Sequence, residues 1–250
     1  MIVFLVPLKS ASISRSWDLT KKLLETTLQS ICNQDCNDFR VLVICHEKPN
    51  ISFSHPFLEY IQVDFSAPSD DGIIAKRKDK ARKLFVGAEF SKQFNPSHLM
   101  VVDADDLISN KIASFIKANP HPIGYFLDYG YVYESGSQFL YFLRRHFGHH
   151  CGTSIIINFN LFELLFEDAI YEHRSFTLIK HRLNLQKLPF SGAIYHRCHG
   201  DNIFANQELG PTFYKDGDFI GYLKHLSRFR LITSEIKKEF NFLPKQRISS

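Results

Sequence analysis

The run Leu99-Met100-Val101-Val102-Asp103-Ala104-Asp105-Asp106 constrains this chain more than any other stretch. A short apolar segment opening directly into carboxylates reads as a buried strand whose carboxyl end emerges at a polar crevice. Open α/β sheets place their ligands in such crevices. If the chain stays extended, Asp103 and Asp105 share one face, and like charges that close raise one another's proton affinity unless a cation lies between them. Mg2+ or Mn2+ carrying a diphosphate is the expected cation, because hard divalent ions suit oxygen-only, partly open sites. A competing reading has Asp105 or Asp106 merely cap a helix that starts near Asn110.

The segments before these acids alternate between strand and helix patterns. Residues 2–6 read as a first buried strand, with Pro7, Lys9 and Ser10 in the loop at its carboxyl end. Leu23, Leu24, Leu28 and Ile31 recur at helical spacing within residues 17–32. Residues 39–45 give a second strand that stops at His46 and Glu47, and residues 60–65 a third that places Asp64 near the same edge. Residues 73–90 read as a helix on which Lys76, Lys80 and Lys83 fall on one face. That face is either solvated or, at Lys76, Arg77 and Lys80, helps to neutralise a nucleotide. A helix over residues 110–117 follows the acids. This alternation predicts a largely parallel sheet with right-handed crossovers.

Beyond Asp106 the rhythm changes. Short strands are expected over residues 124–129, 131–133, 154–158 and 193–195, with helices over 159–171 and around 176–185. The tyrosines and phenylalanines between residues 125 and 142 are read either as a platform for sugar rings or as ordinary core. The tail from Asp218 to Phe240 mixes Phe219, Leu223, Leu226 and Phe229 with Lys and Arg, so it either docks on the domain or lies on an anionic bilayer.

At 250 residues and 44% hydrophobic content, the chain is expected to form one domain with two functional halves, residues 1–106 and 107–250. The formal charge of +4 permits an anionic substrate or membrane surface and does not argue for nucleic acid. Residues 2–6 are too short an apolar run for a signal peptide or a membrane span, and the odd number of cysteines, 5, fits reduced thiols. The expected location is the cytoplasm, with peripheral contact at the inner face of the membrane. Cys32 and Cys36 lack the two further ligands that a zinc site would need.

With these residues in place, the chain resembles the glycosyltransferases of the GT-A fold, most closely the family 2-like bacterial enzymes. The likeness runs from Ile2 to about Asn202. It rests on the first strand, the passage Leu28-Gln29-Ser30 through Gln34 to Phe39-Arg40-Val41, the basic helix, and Asp103-Ala104-Asp105-Asp106, which resembles the fold's metal-binding Asp-X-Asp motif. The resemblance implies a Rossmann-like α/β/α sandwich with a mostly parallel central sheet and a smaller mixed second half. It also implies Mn2+ or Mg2+ on the diphosphate of a nucleotide sugar, with Asp103 near ribose and metal and Asp105 the principal ligand. Pro7, Lys9, Glu47 and Asp64 would line the nucleoside pocket.

The family likeness further implies a late histidine at the metal or diphosphate. His199 is the candidate, because Gly200 permits close backbone approach, and His196 competes with it. Many inverting members carry an acidic pair at the start of a late helix, whereas Glu167-Asp168 here falls inside a helical pattern. The base is therefore sought at Asp168, Glu172, His173 or Asp201. The implied activity is sugar transfer from a nucleotide diphosphate donor, a UDP-sugar first, to a glycan or lipid-linked saccharide. The rivals are a sugar nucleotidyltransferase and a binding module of the same fold without catalysis. The nucleotidyltransferase would normally carry a Gly-rich loop after its first strand, and residues 7–12 contain no glycine.

Overall fold

Strand β1 (Ile2–Pro7) is buried on both faces from Ile2 to Val6 in the computed structural model, which describes residues 1–69, 72–167, 169–171, 184–197, 223 and 225–242. That two-sided burial is why its sequence is continuously apolar rather than alternating. Ile2, Phe4 and Val6 join a core that also holds Leu24, Leu28 and Ile31 of helix α1 (Trp17–Ile31). Val3 and Leu5 point the other way, into a second core with Ala81 and Leu84 of helix α2 (Ile73–Ser91). Gly87 lets α2 lie close on the sheet, since a β-carbon there would come within 2.7 Å of Ile44 Cδ1.

The central sheet has seven strands. β1 pairs in parallel with β2 (Phe39–Cys45) on one side and β4 (His98–Val101) on the other, and β2 carries β3 (Leu58–Gln62) as the edge. Beyond β4 lie β9 (Ile155–Asn158), β6 (Gly124–Phe126) and β12 (Gln186–Lys187) in that spatial order, and only β9 runs against the rest. A second, mixed sheet of five strands has the order β14 (Phe229–Leu231), β8 (Phe139–Leu143), β7 (Gly130–Glu134), β13 (Ala193–Arg197) and β5 (Leu107–Ile108). Two short helices, α3 (Ile112–Ala118) and α4 (Ser234–Phe240), complete the described elements together with a hairpin, β10 (Phe166–Glu167) and β11 (Ile170–Tyr171). The expected α/β/α arrangement about a mostly parallel sheet is therefore the one observed.

Local chemistry explains where the elements start. Ser16 caps α1 by accepting from the amide of Leu19, and Asp18 sits in the first turn, where the helix dipole favours an acid. Three expectations need correction. The third strand is Leu58–Gln62, which ends before Asp64. The expected helix over 159–171 is instead a 3-10 run, Phe159–Leu165, followed by the β10–β11 hairpin, with Ala169 at φ 59° in its turn. Aromatic packing overrides the helical period there: Phe166 stacks on Phe85 at 4.1 Å and is registered opposite Tyr171. Strands β5, β8 and β14 also lie where no strand was expected. Most of the second expected late helix falls outside the described residues.

Candidate active site

The amide of Val102 still donates to Leu5 O at 2.9 Å, so the acids leave the sheet beside the end of β1. The chain then turns, with the amide of Asp106 donating to Asp103 O at 3.0 Å, and does not remain extended. The turn sends the carboxylates of Asp103 and Asp106 in different directions. Asp103 faces α2, where its Oδ1 forms a short ion pair with Lys80 Nζ. Its own amide donates to Thr153 Oγ1 at 2.9 Å. Gly152 closes the back of this pair, because a β-carbon there would collide with Asp103 Oδ2 and stand 3.2 Å from Lys80 Nζ. The ring of Tyr171 lies 5.3 Å from the same ammonium.

Asp106 is inside the protein, 1% exposed. Thr153 Oγ1 donates to its Oδ2 at 2.6 Å, Cys151 Sγ to the same oxygen at 3.1 Å, and the amide of His196 to its Oδ1 at 3.2 Å. Burial, with Asp105 and Asp103 nearby, pushes this carboxyl well above the usual carboxylate range, while the Thr153 and Cys151 hydrogen bonds pull the other way. One side chain thus joins the acid turn, the Cys151-Gly152-Thr153 loop and β13. The capping alternative fails: α3 is capped at Lys111 with no side-chain hydrogen bond, and Asp106 is committed elsewhere.

The loop after β1 is held by the ends of β2 and α2. Glu47 accepts from Ser10 Oγ at 3.1 and 3.3 Å and from the amide of Ala11 through a short contact. Beneath it runs a buried relay in which His46 Nε2 meets Asp79 Oδ1 at 2.8 Å and Lys83 Nζ donates to Asp79 Oδ2 at 2.6 Å. The same ammonium donates to Leu8 O at 2.7 Å. Lys83 is 1% exposed, and its burial lowers its proton affinity although Asp79 opposes the shift. The lysine stripe is therefore no solvated face at Lys80 and Lys83, since both turn toward the sheet.

Of the residues expected at the site, Pro7 ends β1, Lys9 and Glu47 lie with the crevice loop, and Asp103 and Asp105 occupy the turn after β4. Lys76 and Arg77 are half-buried in the first turns of α2. Asp64 is exposed beyond the end of β3. His196 contributes its amide to Asp106, while its ring meets Ser135 Oγ at 2.8 Å and packs on Tyr133 at 5.0 Å. Asp168, Glu172, His173, His199 and Asp201 lie outside the described residues. The sequence reading missed Cys151, Gly152, Thr153 and the relay through Asp79. The Asp79–Lys83 spacing of one helical turn was the available signal for the relay.

Among the described residues no group of three or more His, Cys, Asp or Glu side chains could hold a metal ion. Asp106 is turned away, so Asp103 and Asp105 are the remaining oxygen donors of the turn. Two carboxylates suit Mg2+ or Mn2+ that retains phosphate and water ligands, not a metal caged by protein alone. The donor set fits an ion delivered with a diphosphate.

No protein-family model matches the chain, and no curated protein matches its sequence. Among solved structures, S. aureus TarS 1-349 is 14% identical with a TM-score of 0.44, covering 78% of this chain and 60% of that one. A longer S. aureus TarS structure gives 15% identity and 0.43, covering 78% of this chain and 36% of its own. A Bacillus anthracis protein described as a glucose-1-phosphate thymidylyltransferase, solved with a sucrose, gives 12% identity and 0.38, covering 77% and 88%. This chain spans less than two thirds of either TarS structure. The fold assignment stands on the chain's own strand order and burial.

Proposed function

We propose that the chain is a glycosyltransferase that moves a sugar from a nucleotide diphosphate donor, a UDP-sugar first, to a hydroxyl of a glycan or lipid-linked saccharide. The observation that supports this most is the acid turn at the carboxyl end of β4, backed by Gly152 and paired with Lys80 beside the end of the central strand. Asp103 and Asp105 would hold Mn2+ or Mg2+, with His199 as the further candidate ligand. Such an ion, when bound, supplies positive charge to the departing diphosphate.

The chain's own groups carry the remaining tasks. Lys80 holds the Asp103 carboxylate in place and adds a fixed positive charge at the crevice, helped by Lys76 and Arg77 one turn away. Glu47 and the buried ammonium of Lys83 fix the loop after β1, so that Pro7 and Lys9 form a rigid nucleoside wall. Acceptor deprotonation falls to one of Asp168, Glu172 and Asp201, a general base that must reach the attacking hydroxyl. The glycine-free loop after β1 favours transfer over nucleotidyl chemistry.

Titration calorimetry of UDP with and without Mn2+, followed by incubation with UDP-sugars, tests the reading. Metal-dependent UDP binding and slow donor hydrolysis are expected, and Asp105→Ala should abolish the metal-dependent part while stability holds or rises, because one of several crowded carboxylates is gone. Unchanged UDP affinity in that variant overturns the metal assignment. Pyrophosphate-dependent cleavage of the donor identifies a nucleotidyltransferase instead, and binding without turnover identifies a non-catalytic module.

A further inference from the structure

The second sheet outgrows the body beneath it. On one face of β7 and β8, Val132, Tyr141 and Leu143 enter the main core. On that same face at the sheet's edge, Leu231 is registered opposite Phe139 and Phe229 opposite Tyr141. These outer residues lie past the core: Phe139 is 44% exposed, Phe229 43% and Leu231 65%. Just before β14, Leu223 and Leu226 are also exposed, on a turn that His225 fastens to Tyr141 through a 3.1 Å contact to its hydroxyl. Five large apolar side chains on neighbouring elements is more than the scatter usual on a soluble surface.

Basic residues predominate around this edge, and Glu134, at the end of β7 beside Phe139, lies 3.8 Å from Arg197 Nε. Residues 135–162 and 223–234 contain no Asp or Glu. Arg144 and Arg145 are exposed immediately after β8. The amide of Phe142 donates to Arg228 O at 2.9 Å, which brings Arg228 to the same end of the edge. Arg230 lies on the opposite face, 5.8 Å from the ring of Phe142. An apolar ledge with an arginine rim matches the boundary of an anionic bilayer, where apolar side chains enter the acyl region and cations meet the headgroups. A protein partner would have to supply acids opposite these arginines, and a second copy would set arginines against arginines.

We propose that the β8–β14 edge docks this protein on an anionic membrane surface, with Phe139, Leu226, Phe229 and Leu231 inserted and Arg144 and Arg145 on the headgroups. The contact does not depend on what the crevice does. Six residues separate Arg145 from Gly152, so at most about 25 Å of chain lies between the docked edge and the loop behind the acid turn.

Co-sedimentation of the full chain with vesicles decides it, comparing a phosphatidylethanolamine–phosphatidylglycerol mixture with phosphatidylcholine at physiological salt. Binding to the anionic vesicles alone is expected, weakening as salt rises. Phe229→Ser with Leu231→Ser, and separately Arg144→Glu with Arg145→Glu, should each reduce the partition about tenfold or more. UDP binding, measured separately by calorimetry, should stay at the parent level in both. The arginine pair lies on an exposed loop, so it carries the test if the serine pair fails to fold. Equal binding to both lipids, no binding to either, or parent-like binding by the arginine variant overturns the proposal. So does an oligomer that the serine variant splits while vesicle binding persists, since the ledge would then belong to a second copy.

Discussion

At the scale of single residues, the acid turn depends on three residues, Cys151, Gly152 and Thr153, that come about fifty residues later. Thr153 Oγ1 accepts from the amide of Asp103 and donates to Asp106, so Thr153→Val removes both hydrogen bonds and leaves a buried carboxyl with fewer donors. The expected cost is about 1–3 kcal/mol, read from urea unfolding. Gly152→Ala should behave differently. Its new methyl group would press on Asp103 and Lys80 without touching the core, so a near-parent melting temperature with weakened UDP binding is expected. A parent-like UDP affinity would show that the pair can move aside. Asp103 and Asp105 were legible in the sequence because an apolar strand points at them. Gly152 and Thr153 were not, because nothing in local periodicity says which distant loop will lie against a strand end.

At the scale of elements, α2 holds the crevice together. Its lysine stripe invited the reading of a solvated face, and the i,i+4 placement of Asp79 before Lys83 was the one local sign that an aspartate compensates a buried lysine. Replacing Lys83 with Met leaves the Leu8 carbonyl and a buried aspartate short of a partner, which should destabilise the fold by about 3 kcal/mol or more. Lys76→Met, in the half-buried first turns, should change stability by no more than about 0.5 kcal/mol. Charge reversal offers a functional contrast: Lys80→Glu should weaken UDP binding much more than Lys238→Glu on α4, because salt screens a distant surface charge. Equal losses at the two positions would remove Lys80 from the nucleotide site. The β10–β11 hairpin was illegible for a related reason. Phe159, Phe162 and Phe166 repeat at nearly helical intervals, and only the stacking of Phe85 on Phe166 shows that the chain has turned back.

At the scale of the whole molecule, the first half of the central sheet was legible because β1, β2 and β4 carry continuous apolar runs, while α1 separates β1 from β2 and α2 separates β3 from β4. Its later strands are short and their order is set by distant partners, which leaves little trace in sequence. One stability term of the assembled sheet follows from its first residue on β4. His98 is buried, with Nε2 donating to His121 O at 2.9 Å and Nδ1 3.1 Å from Ser97 Oγ, and burial lowers its proton affinity below the ordinary 6.5. The carbonyl of His121 fixes the Nε2 tautomer as the donor. His98 therefore stays neutral in the fold while the unfolded chain takes up a proton, so its contribution is complete above about pH 6.5 and is lost as pH falls through the lowered folded value. Urea midpoints at pH 7.5 and 5.5 should differ less in His98→Gln than in the parent; equal differences would rule this histidine out as a source of acid sensitivity.

The insertion of β9 between β4 and β6 fixes an order of events for a chain emerging from a ribosome. By the time Asp106 has been synthesised, β1, β2, β3 and β4 can already pair, but the flank of β4 is an open edge and the acid turn has only Lys80 against it. Thr153 and Gly152 arrive on the same segment that closes that edge. The acid turn and the seal of the sheet are thus completed by one docking step, so a nascent protein offers a finished crevice only after the open flank of β4 has been covered.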